Sequence, residues 1–149
     1  KELLPQVLKL EGPTYFTIGK YGEKELRKKS KPIIGKPRLI AKGVKMALLC
    51  TGEIASVVEA SLKILNNEGI LPSMYNIHTV KPIDKNQLAK ISEHINQFVI
   101  IEEHRPVGGL YSAIELWNSS NLKKVNLTRL SLPDTFVLGN LSRIEALEK

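Results

Sequence analysis

The chain has 149 residues, 42% of them hydrophobic and 25% charged, which suits one folded domain and argues against disorder. No apolar run approaches the roughly 18 residues of a membrane helix. No charged-then-apolar leader is read at the N-terminus, and a single cysteine, Cys50, excludes an internal disulfide framework. The net charge of +7 is unevenly placed: residues 1–46 carry 12 Lys/Arg against 4 Asp/Glu, and the remainder carries 10 against 11. That basic third reads as a solvated linker. The sharper alternative, a nucleic-acid patch, lacks the aromatic interleaving of a stacking platform. Cys50 inside an apolar run points to a buried thiol in a reducing, cytoplasmic setting. Neither a nucleic acid nor a membrane is expected as a partner.

In chain order, Leu3, Leu4, Val7 and Leu8 have the spacing of one helix face, ended by Gly12-Pro13. Thr14-Tyr15-Phe16-Thr17-Ile18 is aromatic and β-branched and predicts a strand. One helix and one strand cannot bury both their apolar faces, so this pair calls for a sheet elsewhere. Residues 20–46 form a lysine-rich connector broken by Pro32 and Pro37, with Pro37-Arg38-Leu39-Ile40 as a candidate edge strand.

From residue 46 the pattern becomes regular. Met46–Cys50 predicts a strand buried on both faces, followed by a helix over 53–67 capped by Thr51 and stopped at Gly69. Met74–Val80 predicts the next strand. Asp84 with Gln87 three residues on reads as a capping box for a helix buried through Leu88, Ile91 and Ile95. Phe98–Ile101 predicts another buried strand. Gly108-Gly109 leads into a helix with Leu110, Ala113, Ile114 and Trp117 on one face, and Val125–Leu130 predicts an edge-like strand. A last helix is expected near 140–148, with Asn140 as a possible cap. The alternation implies an α/β fold with three α/β/α layers and an open, mostly parallel sheet.

In such sheets, sites lie outside the carboxyl ends of the strands. The densest polar cluster falls there: Glu102, Glu103, His104 and Arg105, followed by Gly108-Gly109. A carboxylate and an imidazole could form an acid/base pair, but successive residues beyond a strand point to opposite sides. A helix start after two glycines could hold an anion; packing against a neighbouring domain or subunit is the other reading. Thr51-Gly52 is a second candidate anion or interface position, without the glycine spacing of a dinucleotide fingerprint or the Lys-Ser/Thr of a P-loop. His78 and His94 read as structural histidines, and no metal-ligand spacing is found. Lys20, after Gly19 at the end of the Thr14–Ile18 run, reads by itself as a solvated surface charge; the sharper reading is a cation suited to a phosphate or carboxylate of a substrate. No residue is assigned as catalytic.

Several phrases in collinear order carry a resemblance. Gly12–Lys20 resembles the last strand of the pyrimidine-binding domain of transketolase-type enzymes, and Ala47-Leu48-Leu49-Cys50-Thr51-Gly52 resembles the first strand and turn of their C-terminal domain. Thr79–Asp84, Ile101–His104 with Gly108–Ala113, and Leu132–Phe136 are similar to further segments of that domain. The resemblance implies a tail of the pyrimidine-binding domain over 1–22, a basic linker over 23–36 and a C-terminal domain over 37–149. It also implies a five-stranded sheet with an antiparallel edge strand, for which Arg38–Ile40 is the candidate. It implies a dimer-supporting role within a thiamine-diphosphate-dependent enzyme performing ketol transfer between sugar phosphates. The thiamine diphosphate and its Mg2+ or other divalent metal would then be held by upstream domains or a separate N-terminal subunit, not by this chain alone, and a homodimer is expected. Lys20 falls where the family places a substrate-binding arginine; lysine keeps the charge and loses the two-pronged geometry. The alternatives are the tail of a 2-oxo-acid dehydrogenase beta subunit, a deoxyxylulose-phosphate synthase, or, in another class, a nucleotide- or anion-binding regulatory module.

Overall fold

A computed structural model describes residues 2–19, 22, 24–27, 30–135, 142, 143 and 145. Its elements are α1 (Leu4–Val7), β1 (Arg38–Ala41), β2 (Met46–Cys50), α2 (Ile54–Asn67), β3 (Ser73–Asn76), α3 (Lys85–His94), β4 (Gln97–Ile101), α4 (Leu110–Ser120) and β5 (Asn126–Leu130). The strands form one sheet in the order β1-β3-β2-β4-β5. The β2–β3, β2–β4 and β4–β5 pairs are parallel, and β1 lies antiparallel on β3 at the edge. This is the α/β architecture expected from the sequence, with Arg38–Ile40 in the antiparallel edge strand.

The alternation of side chains across the strands divides the core in two. On one face, Ile40, Leu48, Cys50 and Met74 pack under Ile54, Ala55, Val58 and Leu62 of α2. On the other, Ala47, Leu49, Phe98 and Ile100 pack under Leu88 and Ile91 of α3 and Leu110, Ile114 and Trp117 of α4. Phe98 and Trp117 stack with centroids 6.0 Å apart. Each fully buried Leu, Ile or Phe contributes about 1.5–3 kcal/mol, so the three layers hold one another. The connector joins in: Leu26 is buried against the α2 layer, and the Gln6 amide of α1 bonds the Pro32 carbonyl at 2.9 Å and the Ile34 N–H at 3.1 Å.

Local signals explain the element ends. The Asp84 carboxylate accepts from the Gln87 N–H at 2.9 Å, capping α3. Gly69, at φ 77°, closes α2, with the Ile70 N–H returning to the Leu65 carbonyl at 2.9 Å.

Three expectations need correction. Thr51 does not cap α2; the cap position is Glu53, which makes no side-chain capping bond. The strand expected over 74–80 ends at Asn76, because its neighbours run out. Arg38 is the last β1 residue paired along β3, and the Pro37 before it has no N–H to offer. β2 turns away after Cys50, whose carbonyl takes the Ile77 N–H at 2.7 Å. Finally, residues 14–18 form no strand: no sheet edge in the described residues accepts them, and Tyr15 and Ile18 stand in solvent. Lys20, Asn140 and most of 140–148 lie outside the described residues.

Candidate functional site

The chain runs from β2 through α2 outward to β3, then back through α3 to β4 on the far side of β2. The winding therefore reverses between β2 and β4. Open α/β sheets bind ligands at that reversal, outside the carboxyl ends of the strands. Two loops meet there: Thr51-Gly52-Glu53 after β2, and Glu102–Gly109 after β4.

The polar residues of the second loop diverge. Glu102 points inward and is 3% exposed. Its carboxylate accepts the Leu110 N–H at 2.6 Å and the Tyr111 N–H at 3.0 Å. Two of the free N–H groups at the start of α4, which an external anion would need, are thus met by the protein's own carboxylate. This also explains the glycine pair: Gly108 takes φ 88°, and a Cβ on Gly109 would overlap the Glu102 carboxylate.

Glu103 points the other way and binds Arg143 with both oxygens, at 2.5 Å from Nε and 2.7 Å from Nη2. His104 is exposed, its Nδ1 2.8 Å from the Arg105 carbonyl. Arg105 lies 3.7 Å from Asp134. No acid/base pair forms among Glu102, Glu103 and His104. Gly52, at φ 73°, makes the turn into α2 beside a hollow of about 20 Å³ lined in part by Lys24, Glu53 and Asn76. That is room for about one water, not for a nucleotide. A larger groove of about 490 Å³ lies elsewhere, between the loop before β2 and the end of α2, lined in part by Lys42, Val44, Lys63 and Pro72. Its lining among the described residues carries no carboxylate, imidazole or thiol.

Reasoning from sequence missed two features. The first is Arg143, whose backbone is fixed by a capping box: the Glu145 carboxylate accepts from the Ser142 N–H and hydroxyl, both at 2.7 Å. The pattern Ser142-x-x-Glu145 is the signal that could have found it. These bonds hold the Glu145 carboxyl below its ordinary pKa. The second is a polar cluster at the outer end of the β1–β3 pair. Arg38 Nε, Asn76 Oδ1 and His78 Nε2 are solvent-inaccessible and have no partner among the described residues. His78 Nδ1 lies 3.0 Å from the Thr79 hydroxyl. Burial, then the nearby Arg38 charge, lower the His78 pKa. On the α2 face of the sheet, the Cys50 thiol is pushed up to about 12 by burial and the Glu59 charge, so it is no nucleophile at neutral pH.

Among the described residues no group of three or more His, Cys, Asp or Glu is placed to hold a metal ion. No described helix is long and apolar enough to cross a membrane.

Comparison with known proteins bears on this geometry. Residues 35–147 match the family model described as "Transketolase, C-terminal domain". A 1-deoxy-D-xylulose-5-phosphate synthase of Caldanaerobacter subterraneus subsp. tengcongensis is 33% identical over 123 residues, covering 82% of this chain and 20% of that protein. The enzyme of the same name from Chlorobium phaeovibrioides is 30% identical over 131 residues, covering 86% and 21%. The chain thus spans about a fifth of these relatives' length. Among solved structures, a "Split gene transketolase, inactive beta4 tetramer" superposes with a TM-score of 0.83 at 24% identity, over 91% of this chain and 45% of that one.

Proposed function

Since the chain belongs to the transketolase C-terminal domain family, we propose that it is the supporting C-terminal part of a thiamine-diphosphate-dependent, transketolase-type enzyme and has no catalytic centre of its own. The observation that carries this reading is the switch point itself. Where an autonomous α/β domain would bind a ligand, Glu102 is consumed as the cap of α4 and Glu103 is paired with Arg143. The chemistry then belongs to upstream domains, on this chain or on a separate N-terminal subunit. There thiamine diphosphate would supply the carbanion that breaks and makes the bond next to a ketone, and a divalent metal would hold its diphosphate.

Two surfaces support docking of those domains. The Thr14–Ile18 run exposes Tyr15, Phe16 and Ile18 and has no strand partner among the described residues. In this reading it is the edge of a pyrimidine-binding domain over 1–22, joined by the 23–36 linker to the domain over 37–149. The second surface is the carboxyl end of the sheet itself, where Glu103 and His104 face outward. In this reading Lys20 contacts an anionic group of the substrate. The protein would act as a dimer in the cytoplasm.

The parent reaction in this reading is ketol transfer between sugar phosphates. A second reading is favoured by the names of the relatives: synthesis of 1-deoxyxylulose 5-phosphate. The test uses the protein together with its upstream domains and thiamine diphosphate. Xylulose phosphate and an aldose phosphate should yield transferred ketol, whereas formation of 1-deoxyxylulose 5-phosphate with release of CO2 from a three-carbon 2-oxo acid and a triose phosphate, supplied in a parallel assay, instead assigns the second reading. Turnover by the 149-residue chain alone would overturn both.

A further inference from the structure

We propose that Arg143 is the bolt of an ionic latch that joins Glu103, Glu53 and the backbone at Gly19 across the switch point, holding the N-terminal segment against the sheet. Glu53 and Glu103 follow β2 and β4, the two strands that flank the winding reversal. Left alone, two carboxylates in one crevice would repel each other. The Arg143 guanidinium lies between them. Its fork takes both Glu103 oxygens, at 2.5 and 2.7 Å, and its Nε is 3.4 Å from Glu53 Oε2. The other Glu53 oxygen packs so closely on Gly19 that a Cβ there would overlap it. One continuous contact therefore runs from Glu103 through Arg143 and Glu53 to Gly19, although 40 residues separate Glu103 from Arg143.

Two local features aim the parts. The Ser142–Glu145 capping box sets the backbone of Arg143, and Glu53 sits at the N-cap of α2, where the helix dipole favours a carboxylate. The planar fork matches a carboxylate in a way a lysine cannot.

The strength suits a device that opens. The Arg143, Glu103 and Glu53 side chains are 41%, 21% and 30% exposed, so solvent and salt reach the contact. Closed, the latch fixes the end of the N-terminal segment at Gly19 beside the switch point; open, it frees that segment to reorient. The latch rests on this chain's geometry and does not depend on the identity of the parent reaction.

The experiment measures a distance. Spin labels at Thr17→Cys and Leu122→Cys, both exposed positions, report the N-terminal segment against the body of the domain; buried Cys50 takes no label. The unaltered latch should give a single narrow distribution. Arg143→Gln and Glu53→Gln should each raise the population outside that peak by about threefold, the scale of a half-exposed ion pair. Arg143→Lys should recover part of the narrow peak, which a merely structural loss would not produce. Roughly 1 M NaCl, where the Debye length is about 3 Å, should broaden the distribution of the unsubstituted latch and leave Arg143→Gln unchanged. A distribution indifferent to Arg143→Gln, in a variant whose circular dichroism matches the parent, overturns the proposal. So does indifference of the intact latch to salt, an arm that needs no substitution at the latch.

Discussion

Glu102 and Glu103 are neighbours of identical chemistry, and the fold gives them opposite energetic weights. Replacing Glu102 by Ala strips the carboxylate from two N–H groups at the start of α4. The Leu110 residue is fully buried, so its orphaned N–H should cost about 1–3 kcal/mol. The Tyr111 N–H is partly buried and recovers some of its loss from water. Removing the charge from the helix N-terminus adds about 0.3–1 kcal/mol. Together these give a loss of about 2–4 kcal/mol for Glu102→Ala. For Glu103→Ala the loss is a partly exposed ion pair, about 0–1 kcal/mol. Urea unfolding followed by fluorescence measures both, since Trp117 is the sole tryptophan and is buried in α4 against Phe98. Glu102→Gln should fall between, because one amide oxygen replaces two carboxylate oxygens. Equal losses for the two alanine variants, or less than about 1 kcal/mol for Glu102→Ala, would refute the assignment of Glu102 as the internal cap.

Cys50 should resist alkylation at pH 8 in the folded chain and react at once on unfolding, because burial holds its pKa near 12; rapid native-state labelling counts against its burial. The His78 pKa is lowered in the fold, so below its ordinary value near 6.5 the unfolded chain binds the extra proton. The stability tied to neutral His78 is therefore complete above about pH 6.5 and is lost as pH falls through the folded pKa. His78→Asn should flatten the dependence of Tm on pH between about 7 and 5, and an unchanged slope would contradict it. Asp84→Ala should remove the α3 cap and cost about 1 kcal/mol in a urea melt, with no effect expected on α2. Gly43→Ala should destabilise by about 1–3 kcal/mol, because a Cβ there would collide with the Leu71 and Pro72 backbone; a neutral result would mean that this loop yields freely.

Local pattern by itself determined the alternation of strands and helices from residue 46 onward. The doubly apolar Met46–Cys50 and the helical spacing of Leu88, Ile91 and Ile95 have one reading each. So do Asp84 as a cap and Gly69 as a stop, because caps and periodicities are properties of a few consecutive residues. Partnership is not such a property. Whether Thr14–Ile18 becomes a strand depends on an edge to pair with, and among the described residues there is none. Pairing also decided that Met74–Val80 stops at Asn76, where Pro37 and the turn after Cys50 leave it without neighbours. The site divides the same way. The sequence located the Glu102–Gly109 loop at the end of a strand. Only the winding reversal between β2 and β4, with Gly109 bare enough to admit a carboxylate, turned Glu102 inward and sent Glu103 outward to a guanidinium 40 residues away.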